Sequence, residues 1–84
     1  MNIVYAEQAK DDVRYWKKTD RKKIARIETL LKAIQANPFT GIGKPEPLKF
    51  EYQGYWSRRI DQEHRLIYKV HQGTLYVAQC RYHY

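Results

Sequence analysis

At 84 residues the chain has room for one small domain. A domain of that size buries roughly 60–65% of its unfolded surface, a thin core best used as one layer of helix on one layer of sheet. Sixteen Lys and Arg against nine Asp and Glu leave a net charge of +7, which favours an acidic partner such as nucleic acid or an acidic protein. A single cysteine excludes an internal disulfide and fits a reducing cytoplasm. No apolar run approaches the ~20 residues of a membrane span, and the start lacks the apolar core of a signal peptide, so a soluble cytoplasmic chain is expected.

In chain order, Ile3-Val4-Tyr5 reads as a short strand. Residues 7–18 read as a helix, with Ala9, Val13 and Trp16 on one face at i, i+4, i+7. Thr19-Asp20 breaks and caps, because a short side-chain acceptor satisfies free amides at a helix start. A second helix covers 21–36 on a stripe of Ile24, Ile27, Leu31 and Ile34, with Leu30 beside it, and Asn37-Pro38 ends it. Residues 38–47 hold two glycines and three prolines and read as irregular. Four strands follow: Leu48–Tyr52, Tyr55–Ile60, Arg65–Val70 and Thr74–Cys80, with turns at Gln53-Gly54 and His71-Gln72-Gly73. The result is a single α+β domain over 1–84, its helices covering one face of a mainly antiparallel sheet. Leu66, Tyr68 and Val70 suit the covered face; Arg65, Ile67 and Lys69 fall on the open one.

The chemistry-bearing residues gather late in the chain. Arg58, Arg59, His64, Arg65, Arg81 and His83 are threaded through short apolar strands, and Glu46 stands between two prolines. Cations stabilise phosphate oxygens, an imidazole moves protons and rings stack on bases, so this kit suits cutting a phosphodiester without a metal. Three histidines and one cysteine offer no close zinc-ligand spacing, and the glycines lie in a Pro-containing connection before a strand, not in a phosphate-cradling loop before a helix. No cofactor is expected. Cys80 reads as a small buried hydrophobe and His64 as a turn residue bonded locally. The run Lys17, Lys18, Arg21, Lys22, Lys23, Arg26 reads as a solvated helix surface or as a grip on phosphate.

The strings Gly41-Ile-Gly-Lys-Pro-Glu-Pro-Leu-Lys49, Gly54-Tyr-Trp-Ser-Arg-Arg-Ile60, Glu63-His-Arg-Leu-Ile-Tyr68 and Cys80-Arg-Tyr-His-Tyr84 together resemble the YoeB toxins of the RelE superfamily, over essentially the whole chain. The resemblance implies a microbial-ribonuclease-like fold. It also implies a toxin of a type II toxin–antitoxin system that cleaves messenger RNA in the ribosomal A site. Implied partners are a YefM-like antitoxin, the ribosome and messenger RNA, operator DNA through the antitoxin complex, and a second copy in a homodimer. Carried over residue by residue, the site falls on Glu46, Lys49, Arg59, Arg65, His83 and Tyr84. Glu46 is then the base, His83 the acid, and Arg59 and Arg65 the stabilisers of phosphate charge. Lys49 binds phosphate or lowers the Glu46 pKa, and Tyr84 stacks on a base or bonds near the scissile group. Reference pKa values of ~4.3 and ~6.5 keep Glu46 charged near neutrality, while protonated His83 needs help, for which the Tyr84 terminal carboxylate is a candidate. Arg58 and Arg81 are expected to make general RNA contacts. Two other readings use the same residues: a ribosome-independent, barnase-like ribonuclease, and a non-catalytic RNA-binding or repressor-complex module.

Overall fold

The computed structural model describes residues 1–82. Strand β1 (Asn2–Tyr5) leads into helices α1 (Glu7–Thr19) and α2 (Arg21–Ala36). A long connection follows, then strands β2 (Glu46–Pro47), β3 (Trp56–Arg59), β4 (Arg65–His71) and β5 (Thr74–Gln79). Both helices lie where the apolar spacing predicts them. Ala9 and Trp16 of α1 are buried with Val13 packed beside them, and α2 buries Ile27, Leu30, Leu31 and Ile34, a stripe that only helical rotation brings to one side. Asp20 separates the two. Its backbone amide donates to Trp16 O at 2.9 Å, closing α1. Its carboxylate accepts the Lys22 amide at 3.1 Å, satisfying one of the open donors that begin α2.

The strands form one sheet in the order β1-β5-β4-β3-β2. β1 runs parallel to β5, and every other pairing is antiparallel. A parallel pair needs a crossover, and the helix pair supplies part of it. The helices cover one face, where Leu66 and Tyr68 of β4 join the core and Val70 is half-buried at its margin, as the alternation predicts. β5 carries a bulge opposite Ile67–Tyr68: Ile67 pairs with Gln79 and Tyr68 with Val77, leaving Ala78 as the extra residue. The bulge resets the alternation, so Val77 and Cys80, three residues apart, both face the helices and are both buried. Cys80 is a core residue, and burial pushes its thiol up to about 12, with the nearby Asp12 charge adding to the effect.

One predicted element is corrected. Leu48–Tyr52 is not a strand: pairing stops at Pro47, apart from Leu48 N–H donating to Tyr55 O at 2.9 Å, and Phe50–Tyr52 is a single 3-10 turn. Phe50 adopts φ +57°, which reverses the chain. Local bonds from Tyr52 N–H to Lys49 O (3.2 Å) and Gln53 N–H to Phe50 O (3.0 Å) then take groups that a strand would offer to its neighbour.

Candidate active site

The connection before β2 is held from inside the molecule by Arg58. This side chain is fully buried. Its guanidinium donates to Asn37 O at 2.7 Å, Thr40 O at 3.0 Å and Ile42 O at 3.2 Å, and its Nε donates to the Tyr68 hydroxyl at 3.1 Å. Tyr68 in turn donates to Pro38 O at 2.6 Å. The expectation that Arg58 touches RNA is therefore corrected. It shares strand parity with inward-packed Trp56, and its donors are committed to the loop. Gly43 finishes the attachment. Its carbonyl accepts Arg59 N–H at 2.7 Å, and at φ +85° a Cβ would lie 2.9 Å from Leu30 Cδ2 and 3.1 Å from Arg58 Cβ. Glu46 follows three residues later on the anchored chain.

Register then sets the open face. Glu46 stands opposite Ser57, and Arg59 opposite Arg65. Ser57, Arg59 and Arg65 have the parity opposite to Arg58, Leu66 and Tyr68, so they share the face away from the helices. Two strand spacings of ~4.8 Å and one step of ~6.6 Å along β3 put the Glu46 and Arg65 Cα atoms ~12 Å apart, a gap that two long side chains can close onto one nucleotide-sized group. Glu46, Lys49 and Arg59 are exposed, whereas Arg65 is partly buried and its guanidinium donates to Asp61 O at 3.2 Å. The floor between them is Ser57 and Ile67, both buried. Ser57 was not singled out in the sequence; its signal is its parity with Arg59.

The segment after β5 is fastened as well. Cys80 N–H donates to Asp12 Oδ2, and Trp16 Nε1 donates to Cys80 O, both at 2.9 Å. Asp12 is buried on the α1 face between Ala9 and Trp16, where an apolar stripe gives no hint of a carboxylate's use. Arg81 lies over the Tyr15 ring at 3.4 Å from its centroid and donates to the Tyr82 hydroxyl at 2.7 Å. Its cation is thus engaged within the chain, and the expected general RNA contact finds no support in this placement. His64 Nδ1 accepts the Tyr82 amide at 2.7 Å, a bond across 18 residues of chain where a local one was expected. His83 and Tyr84 lie outside the described residues.

The basic run divides. Lys17, Lys18, Arg21 and Lys22 are exposed. Lys23 pairs with Asp61 at 2.5 Å, and Arg26 donates to Arg59 O at 3.1 Å, so the start of α2 abuts the Arg59 end of the open face. Burial alone would raise the Asp61 carboxyl. The Lys23 ammonium and the Glu63 and His64 amides override it and bring it down to about 2. On the helix side a groove of about 420 Å³ between α1, α2 and β1 is lined by Tyr5, Val13, Ile24 and Ile27 with Lys10, Arg14 and Lys17 among its rim residues, and it contains none of the candidate site residues.

Comparison with known proteins agrees with this architecture. A family model described as the YoeB-like toxin of bacterial type II toxin-antitoxin systems matches residues 5–84. Toxin YoeB of Escherichia coli is 48% identical over 84 residues, covering all of both chains. The solved YoeB/ParE toxin from Agrobacterium tumefaciens superposes with a TM-score of 0.95 at 44% identity over the whole of both chains. The heterotetrameric YoeB-YefM complex from Staphylococcus aureus matches with a TM-score of 0.92 at 46% identity, covering 100% of this chain and 98% of that one.

Proposed function

The chain belongs to the YoeB-like toxins of bacterial type II toxin–antitoxin systems, and from that premise we propose that it is a ribosome-dependent endoribonuclease cleaving messenger RNA in the A site. The observation that carries this reading is the register. Glu46, Arg59 and Arg65 come from three adjacent strands and share the sheet face that the helices leave open. In the proposed step Glu46 takes the proton of the 2′-hydroxyl as its oxygen attacks the adjacent phosphorus. The 5′-oxygen leaves with a proton from His83, and a 2′,3′-cyclic phosphate remains. Arg59 and Arg65 stabilise the charge that builds on the non-bridging oxygens, a task suited to a fork that stays protonated. Lys49 adds an exposed cation at the same sheet edge. A ribosome presenting the RNA in a fixed geometry would supply alignment that three side chains on one sheet face do not.

Restraint of such an enzyme falls to a YefM-like antitoxin. The Staphylococcus aureus relative is found in complex with YefM, and the +7 charge of this chain favours an acidic segment that orders on binding. The test is single-turnover cleavage of messenger RNA on programmed ribosomes, with the new ends mapped. Glu46→Gln is expected to lose at least ~10²-fold in the cleavage step while ribosome affinity holds. Near-wild-type cleavage by that variant removes Glu46 from its role. Equal cleavage of naked RNA transfers the reading to a free ribonuclease.

A further inference from the structure

His64 is a buried titratable side chain that the reaction above leaves without a task. It is only 7% exposed. Its ring meets the Trp16 indole of α1 edge-on, with centroids 4.8 Å apart. Its own amide donates to Asp61 Oδ1 at 2.7 Å, fixing the residue at the end of the β3–β4 turn. From there Nδ1 accepts the Tyr82 amide at 2.7 Å, and the next residue, Arg65, donates its backbone N–H to Tyr82 O at 3.1 Å. The Tyr82 peptides are therefore gripped on both sides by consecutive residues of one strand start. A backbone amide only donates, so Nδ1 carries no proton and the ring's proton resides on Nε2, which faces the Glu63 carboxylate at 3.8 Å. Tyr82 adopts φ +63°, a left-handed conformation that a tyrosine keeps only when its surroundings hold it there.

We propose that His64 is a positioning residue for the cleavage step: its Nδ1 locks the Tyr82 peptide beside Arg65, one residue before the proposed acid. The activity part of this proposal rests on the ribonuclease reading; the lock itself does not. Arg65 then has two tasks set by one backbone position, since its amide grips the segment and its side chain belongs to the open face. A shift in either reaches the other through a single peptide.

Three variants of the full chain separate the lock from general packing. In His64→Asn the amide oxygen falls near the place of Nδ1 and still accepts. In His64→Gln the amide reaches one bond further, near the place of Nε2, and leaves the Tyr82 N–H unpaired; His64→Ala removes the acceptor altogether. Two quantities are read: hydrogen exchange at the Tyr82 amide in the free protein, and single-turnover cleavage on saturating programmed ribosomes. His64→Gln and His64→Ala are expected to lose about tenfold or more in Tyr82 protection and a similar factor in cleavage rate, the scale of one unpaired buried donor, with ribosome affinity unchanged. His64→Asn is expected to recover both to within about threefold of wild type. A role in packing alone would lower the melting temperature of Asn and Gln variants alike without separating their exchange. Unchanged Tyr82 protection in His64→Gln overturns the lock, as does a His64→Asn variant no better than His64→Gln. If the wild-type protein cleaves no RNA, the ribonuclease reading falls, and Tyr82 exchange still decides the lock.

Discussion

Arg58 carries a full charge into the interior, and four oxygens replace the water it loses: three loop carbonyls and the Tyr68 hydroxyl. Such a group depends on these acceptors, because an unpaired buried polar group costs more than one hydrogen bond returns. Arg58→Met keeps most of the length but strands those carbonyls, and we expect it to destabilise the fold by about 2–4 kcal/mol in urea unfolding. Arg59→Ala, one residue along but on the exposed face, is expected to change stability by no more than about 0.5 kcal/mol. It should lower the cleavage step by ~10²–10³-fold. Native stability in Arg58→Met would show that the loop does not depend on its staple. The pair was half legible in the sequence. Trp56 and Arg58 share one parity, and taking Trp56 as inward would have sent Arg58 inward too. Nothing else in the sequence points there, because its partners are backbone carbonyls and a tyrosine ten residues on. Residue chemistry marked Glu46, Arg59 and Arg65 as part of a phosphodiester kit, but their shared face was not legible, since the register that joins them is a property of three strands at once.

At the level of elements, the helices were readable because apolar spacing and the Asp20 cap are local, and both were found where they were expected. The stretch 48–52 was not. Leu48, Phe50 and Tyr52 alternate with charged residues as a half-buried strand would, yet Phe50 is 89% exposed and the backbone turns on itself. Its geometry is set by the closing bonds of the loop and not by side-chain burial. The β3–β4 turn makes a sharper case, because Asp61 joins it to α2 through Lys23. Its carboxyl lies at about 2, below its ordinary 3.8. The folded state therefore holds the charged form more tightly, so this contribution is present above pH ~4 and is lost as pH falls towards ~2. Urea unfolding of wild type and Asp61→Asn across that range should show a stability gap that is widest above pH ~4 and closes towards pH ~2. A gap that stays constant with pH would mean that the pair with Lys23 does not link α2 to the turn.

Across the whole molecule, two groups of the chain's cations lie next to one another. Arg59 and Arg65 mark the open face. Lys17, Lys18, Arg21 and Lys22 stand exposed at the α1–α2 junction. The junction's placement could not be read from sequence, because it depends on Lys23 meeting Asp61 and Arg26 meeting Arg59 O across more than thirty residues of chain. Those two contacts make the junction continuous with the Arg59 end of the open face, so on the proposed reading an RNA backbone leaving that face would meet further cations. Each phosphate neutralised releases condensed counterions, which makes association fall with salt at a slope set by the number of contacts. Replacing Lys17, Lys18, Arg21 and Lys22 together by Gln, while sparing Lys23 for its ion pair, should weaken ribosome binding and flatten the log–log salt slope by about three units. Cleavage on saturating ribosomes should stay near wild type, because none of the four reaches the reacting atoms. Glu46→Gln should do the converse, losing cleavage with its salt slope intact. If the fourfold variant binds with an unaltered slope, the junction is only a solvated helix surface, and the electrostatic attraction resides in the open face alone.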